Sequence, residues 1–352
     1  MEINNIKIGD KETRVPIIQG GMGVGVSLSG LASAVAREGG IGIISAAQIG
    51  FKEEDFERNP NEANIRAMKK EIIKAKEQAN GGIIGVNIMV AMDLYDEYVE
   101  ASIESGADLI ISGAGLPMKL PGLVKGSDIK IAPIVSSKKA ANVILKMWDR
   151  HYGRTADLVV IEGPKAGGHL GFSKDDLEKD IAVDEIIPQV KEVVATYEEK
   201  YNKKIYVIVA GGVYDGKDIN RVMSLGADGV QMATRFVATE ECDAHINFKK
   251  AYIDSKKDDI VIVSSPVGMP GRAIRNPFVK RTLEGRIPVK KCYRCISKCE
   301  PATTPYCITK ALINSVNGDV DNGLIFCGEN AYRVNEMTTV KQLIGQLINE
   351  MK

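Results

Sequence analysis

The stretch Glu162-Gly-Pro-Lys-Ala-Gly-Gly-His-Leu-Gly-Phe172 sets one imidazole among glycines. His169 is one of three histidines in the chain, and imidazole is the side chain best placed to move a proton near neutral pH. Gly163, Gly167, Gly168 and Gly171 let the backbone approach something flat or charged. The apolar run from Asp157 to Ile161 just ahead reads as a buried strand. A glycine-rich loop after a parallel strand, carrying a titratable group, is where α/β enzymes place their chemistry.

Two further pairs have the form of a phosphate site. Gly211-Gly212 and Ala233-Thr234 each follow an apolar strand candidate, and such loops offer backbone N–H groups to an anion. Thr234 adds a hydroxyl and Arg235 a charge. A phosphorylated ligand is expected there, and flavin mononucleotide (FMN) is the common one. Asn87 and Gln19 end strand candidates and could hydrogen-bond a flavin ring edge; Glu162 could bond a ribityl hydroxyl. Cys292, Cys295, Cys299 and Cys307 put four thiols in sixteen residues. They could hold zinc or an iron–sulfur cluster, or form a thiol-rich loop in a reducing compartment.

The elements that must position these groups form a repeat. Short apolar runs end at Gln19, Ile44, Asn87, Ile111, Val135, Ile161, Val209 and Met232. Helical patterns separate many of them: 29–38, 62–78, 94–105, 137–149 and 219–225. Eight such units in about 235 residues predict an α/β (β/α)8 TIM barrel. The alternative, a doubly wound open sheet, lacks a G-x-G-x-x-G opening its first unit. The barrel is expected over 1–238. From Thr239 the rhythm is lost, and 239–352 is expected to be a mostly helical C-terminal cap over the barrel's mouth, with a last helix at about 340–351.

Composition narrows the function classes. Lys+Arg and Asp+Glu are both 46, so there is no basic excess of the kind a nucleic-acid partner requires. No apolar run reaches membrane-spanning length. The segment Met1 to Lys7 is charged, so no signal peptide is expected and the expected location is cytoplasmic. Cys242, Cys327, His151 and His245 read as packing or surface residues.

Taken together, Gln19-Gly-Gly-Met22, Gly85-Val-Asn87, the Gly-Gly-His-x-Gly signature around His169, Ala210-Gly-Gly212 and Gln231-Met-Ala-Thr-Arg-Phe236 resemble the nitronate monooxygenase family, formerly 2-nitropropane dioxygenases. That family also includes the flavin-dependent enoyl-ACP reductase II. The resemblance implies that Gly20, Gly21, Met22, Asn87, Glu162, Gly167, Gly212, Gln231, Met232, Ala233 and Thr234 bind FMN, beside Gly211 of the expected phosphate site, and that His169 is the catalytic acid/base. Lys165, Glu162 and Ala233 stand where the family usually has Glu, Gln and Gly. Three functions stay open. The leading one is an FMN monooxygenase acting on alkyl nitronates and dioxygen. The second passes hydride from NAD(P)H to an enoyl thioester, with the basic residues Arg272, Arg275, Lys280 and Arg281 facing an acidic carrier. The third is a non-catalytic flavin or metal redox sensor. A homodimer is compatible with each.

Overall fold

Eight parallel strands close into a barrel in the computed structural model, which describes residues 5–179, 181–297 and 299–352. Residues 1–4, part of the segment read for a signal peptide, lie outside the described residues. The barrel strands are β1 (Ile17–Gln19), β2 (Ile41–Ser45), β3 (Ile83–Met89), β4 (Leu109–Gly113), β5 (Lys130–Val135), β6 (Leu158–Glu162), β7 (Tyr206–Ala210) and β8 (Gly229–Met232). Val230 beside Ile17 closes the ring. This is the (β/α)8 TIM barrel expected from the repeat.

The two-residue alternation of a strand divides its side chains between two cores. Ile18, Ile41, Ile43, Leu109, Ile111, Leu158 and Val160 fill the interior. Val159, Ile161, Val207 and Val209 face outward and are covered by helices. A small hairpin, Lys7–Ile8 with Lys11–Glu12, brings Ile6 and Ile8 into the interior core. Ile6 lies against Gly229, so this hairpin shuts the end opposite the C-terminal mouth of the barrel.

Helices Ser29–Arg37, Pro60–Gln78, Tyr95–Glu104, Lys138–Tyr152, Val183–Tyr201 and Gly216–Ser224 form the outer wall. Local sequence sets their ends. The Ser137 hydroxyl accepts from the Ala140 N–H, and Gly153 at φ +59° ends that helix. Helix packing on β2 is close: a Cβ on Gly42 would stand 1.9 Å from the Ala32 carbonyl oxygen. Helix Val183–Tyr201 is absent from the sequence-based expectation, and Pro188 lies inside it.

The C-terminal third differs from its expectation in two ways. Besides helices Ile246–Ile253, Pro277–Glu284 and Ile308–Val316 it holds an antiparallel hairpin, Ile260–Ser264 with Pro270–Ile274. Gly168–His169 adds to that hairpin as a third strand. The last helix, Val340–Met351, does not cover the mouth. It buries Val340, Leu343, Ile344 and Leu347. Glu350 Oε2 accepts from the Gly216 N–H, and Asn220 Nδ2 donates to the Met351 carbonyl. It therefore completes the barrel wall, and the cap proper ends before it.

Candidate active site

A cavity of about 250 Å³ lies at the C-terminal ends of the barrel strands. One wall is the glycine-rich loop after β6, where Glu162, Lys165, Ala166, Gly167, Gly168 and His169 line the space. The loops after β1, β7 and β8 bring in Gly20, Gly21, Met22, Gly211, Gly212, Gln231, Met232, Ala233 and Thr234, and Asn87 on β3 faces the same space. One predicted site residue lies elsewhere. Gln19 is 0% exposed; its Oε1 accepts from the Ile43 N–H and its amide bonds the Gly20 carbonyl. Those bonds use its polar atoms inside the barrel, so Gln19 is corrected to a structural residue.

The cap fixes the histidine. His169 pairs with Gly271, and the Leu170 N–H donates to the Pro270 carbonyl. Arg272, 8% exposed, donates to the carbonyls of Pro164 and Ala166 and so holds the loop from below. Segment 327–330 ties the mouth together. The Cys327 N–H donates to the Arg272 carbonyl, the Glu329 N–H to that of Lys165, and Asn330 Nδ2 to that of Gly212. Glu329 also lies 3.7 Å from both Lys165 Nζ and an Arg272 nitrogen.

Electrostatics follow from burial. Loss of solvent lowers the His169 pKa to about 4 and raises that of Glu162 to about 7; the Gly171 N–H moderates the latter. His169 is thus neutral at pH 7. Its Nε2 stands 2.7 Å from Ser265 Oγ, and the Phe326 ring meets it edge-on at 5.0 Å. A stability effect follows. Between its ordinary value of 6.5 and about 4, the unfolded chain takes up a proton that folded His169 does not. This contribution is intact above pH 6.5 and lost as pH falls toward 4. Urea unfolding at pH 7 and pH 4.5 should show wild type losing about 2–3 kcal/mol more than His169→Gln on acidification.

The family model for nitronate monooxygenase matches residues 4–350. The chain belongs to this family. A probable nitronate monooxygenase of Staphylococcus haemolyticus is 26% identical over 380 aligned positions, covering 100% of this chain and 98% of the relative. The structure of FabK from Thermotoga maritima superposes with a TM-score of 0.73 at 26% identity, over 96% of this chain and 93% of that one. Nitroalkane oxidase from Streptomyces ansochromogenes shares the fold, with a TM-score of 0.74 at 21% identity and 96% coverage of each chain. The chain is therefore an oxidoreductase of a flavin-dependent family, which sets aside the non-catalytic sensor.

Other expectations meet the structure less well. Cys292 is exposed, and Cys295, Cys299 and Cys307 are half-buried. Among the described residues no group of three or more His, Cys, Asp or Glu side chains could hold a metal ion. Burial pushes the Cys295 thiol up to about 11 and the Cys307 thiol upward, with the neighbouring cysteines adding to both shifts. The expected zinc or iron–sulfur site is thus without support among the described residues. Of the basic stretch, Arg272 is buried, while Arg275, Lys280 and Arg281 are exposed; Arg275 lies 3.8 Å from Asp259, and Arg281 bonds Asp321 and Asn322. No described helix is long and apolar enough to cross a membrane.

Sequence reading missed the cap's share of this nitronate monooxygenase-family site. Phe248, Tyr252, Leu312, Ser315, Phe326, Cys327, Gly328 and Asn330 line the cavity, and Ser265 bonds the histidine. They come from scattered segments with no shared motif. Gly328, packed against the Thr234 hydroxyl, was the one glycine in that region that could have drawn notice.

Proposed function

We propose that the chain binds FMN in this cavity and oxidises alkyl nitronates with dioxygen, with His169 as the acid/base group. The observation that carries the reading is the cavity itself: one continuous space joins the backbone of Gly211, Gly212, Ala233 and Thr234 to Asn87 and His169. A phosphate end and a ring end are thereby given separate residues. Gly211 lets the loops after β6 and β7 pack together at the mouth, since a Cβ there would fall 2.7 Å from the Ala166 nitrogen. FMN, when bound, supplies the electron transfer from substrate to dioxygen. The chain supplies the rest. Gly211, Gly212, Ala233 and Thr234 would hold the phosphate with N–H and hydroxyl donors. Asn87, Glu162, Gln231 and the Gly20–Met22 turn would hold the ribityl and ring. Met22, Met89, Ile134 and Phe326 give the space an apolar side and exclude water from an alkyl substrate. A cytoplasmic location accords with six free cysteines.

A second reading, reduction of an enoyl thioester with NAD(P)H, is favoured by the full-length likeness to FabK (enoyl-ACP reductase II). The test compares oxygen uptake on adding an alkyl nitronate with enoyl-dependent oxidation of NAD(P)H. Uptake driven by nitronate without NAD(P)H is the expected result. Enoyl-dependent NAD(P)H oxidation with no response to nitronate would move the assignment to the reductase.

A further inference from the structure

Ser265 lies in the turn between the two strands of the cap hairpin and is 7% exposed. Its backbone closes the turn: the Gly268 N–H donates to its carbonyl, and its own N–H donates to the Met269 carbonyl. Its hydroxyl has two neighbours. The Val267 N–H donates to Ser265 Oγ at 3.3 Å, and His169 Nε2 lies 2.7 Å from the same oxygen. A hydroxyl carries one proton and two lone pairs. Val267 occupies a lone pair. Among the described residues the imidazole nitrogen is the hydroxyl's other partner. Were Nε2 also a donor, the hydroxyl proton would be left buried without an acceptor, which is unfavourable. The satisfied arrangement has Ser265 donating to Nε2, so the ring proton sits on Nδ1.

We infer that Ser265 is a positioning residue that fixes His169 as its neutral Nδ1–H tautomer, so that the acid/base group meets substrate with a hydrogen-bond donor. The inference deepens the proposed function and rests on it for the substrate. A nitronate brings oxygens that carry negative charge, which an Nδ1–H can meet without the cost of burying a cation. Glu162, Lys165, Tyr252, Cys327 and Glu329 are the other ionisable side chains on the cavity wall. The carboxyl of Glu162 is raised toward neutrality and takes the Gly171 N–H.

The first measurement needs no turnover. FMN-loaded protein labelled with ¹⁵N-histidine gives three imidazoles, and His169→Gln assigns the one of interest. The expected spectrum has a protonated Nδ1 and an unprotonated Nε2 at His169, with Ser265→Ala shifting the population toward Nε2–H and Ser265→Thr restoring it. A protonated Nε2 in wild type would overturn the inference whatever the enzyme does. The second measurement is turnover. Ser265→Ala should lower kcat/KM on nitronate about tenfold, the worth of one buried hydrogen bond, with Ser265→Thr recovering most of it. A Ser265→Ala enzyme with unchanged kcat/KM on nitronate would overturn the positioning role. Absence of nitronate turnover alongside the expected spectrum would refute the functional reading and leave the tautomer standing.

Discussion

Replacing His169 with Gln is expected to cut turnover on nitronate by a factor of about 10²–10⁴ while leaving FMN bound. The two effects separate because the groups are separate. His169 stands at the cap side of the cavity, between Ser265 and Phe326, whereas the phosphate-type donors are the loops after β7 and β8. Gln keeps a polar amide near the position of the ring nitrogens but cannot reproduce the Ser265-tied imidazole. The flavin spectrum and FMN stoichiometry of the variant should match wild type, and stopped-flow reduction by nitronate should give the rate. Loss of FMN together with activity would instead place His169 in cofactor retention.

Gly211→Val is expected to weaken FMN binding by about 100-fold or more, close to 3 kcal/mol. Two costs coincide at this position. Gly211 sits at φ +85°, where a β-branched residue is strained by about 1–3 kcal/mol. Its new side chain would also point at backbone, with Ala166 N at 2.7 Å and Ala166 Cα at 3.0 Å. Neither can swing aside as a flexible side chain does, so the loop after β6 must move off the loop after β7. Those are facing walls of the proposed cofactor cavity. Gly212→Ala makes a useful contrast. It has a similar φ of +82° but meets only the Lys165 side chain, at 3.2 Å. Isothermal titration of flavin-stripped protein with FMN should rank wild type, Gly212→Ala and Gly211→Val in that order. An unchanged affinity in Gly211→Val would remove this loop from the cofactor site.

The barrel was readable because its strands are uniform. Runs such as Leu158–Glu162 and Tyr206–Ala210 are β-branched, short and followed by glycine, and each such run became a strand. The barrel side of the site was readable for the same reason: its glycines and His169 follow strands directly, so register carries them to one end. Gln19 misled because a polar residue at a strand end was taken to face the mouth, when the Ile43 N–H claims it inside. Helix Val183–Tyr201 was hidden by Pro188. The cap was opaque for a more general reason. Ser265, Arg272 and Phe326 act across 60 or more residues of sequence, through a hairpin whose third strand is the His169 loop itself. No local pattern reports such a pairing. The four clustered cysteines are a local pattern for which no ligand group forms among the described residues.

If this cavity holds FMN and a nitronate alone can reduce it, FMN-loaded protein mixed anaerobically with an alkyl nitronate will lose its visible flavin band without NAD(P)H and regain it when air is admitted. Protein that takes up no FMN, or a flavin that nitronate leaves oxidised while NAD(P)H bleaches it, would refute the nitronate reading.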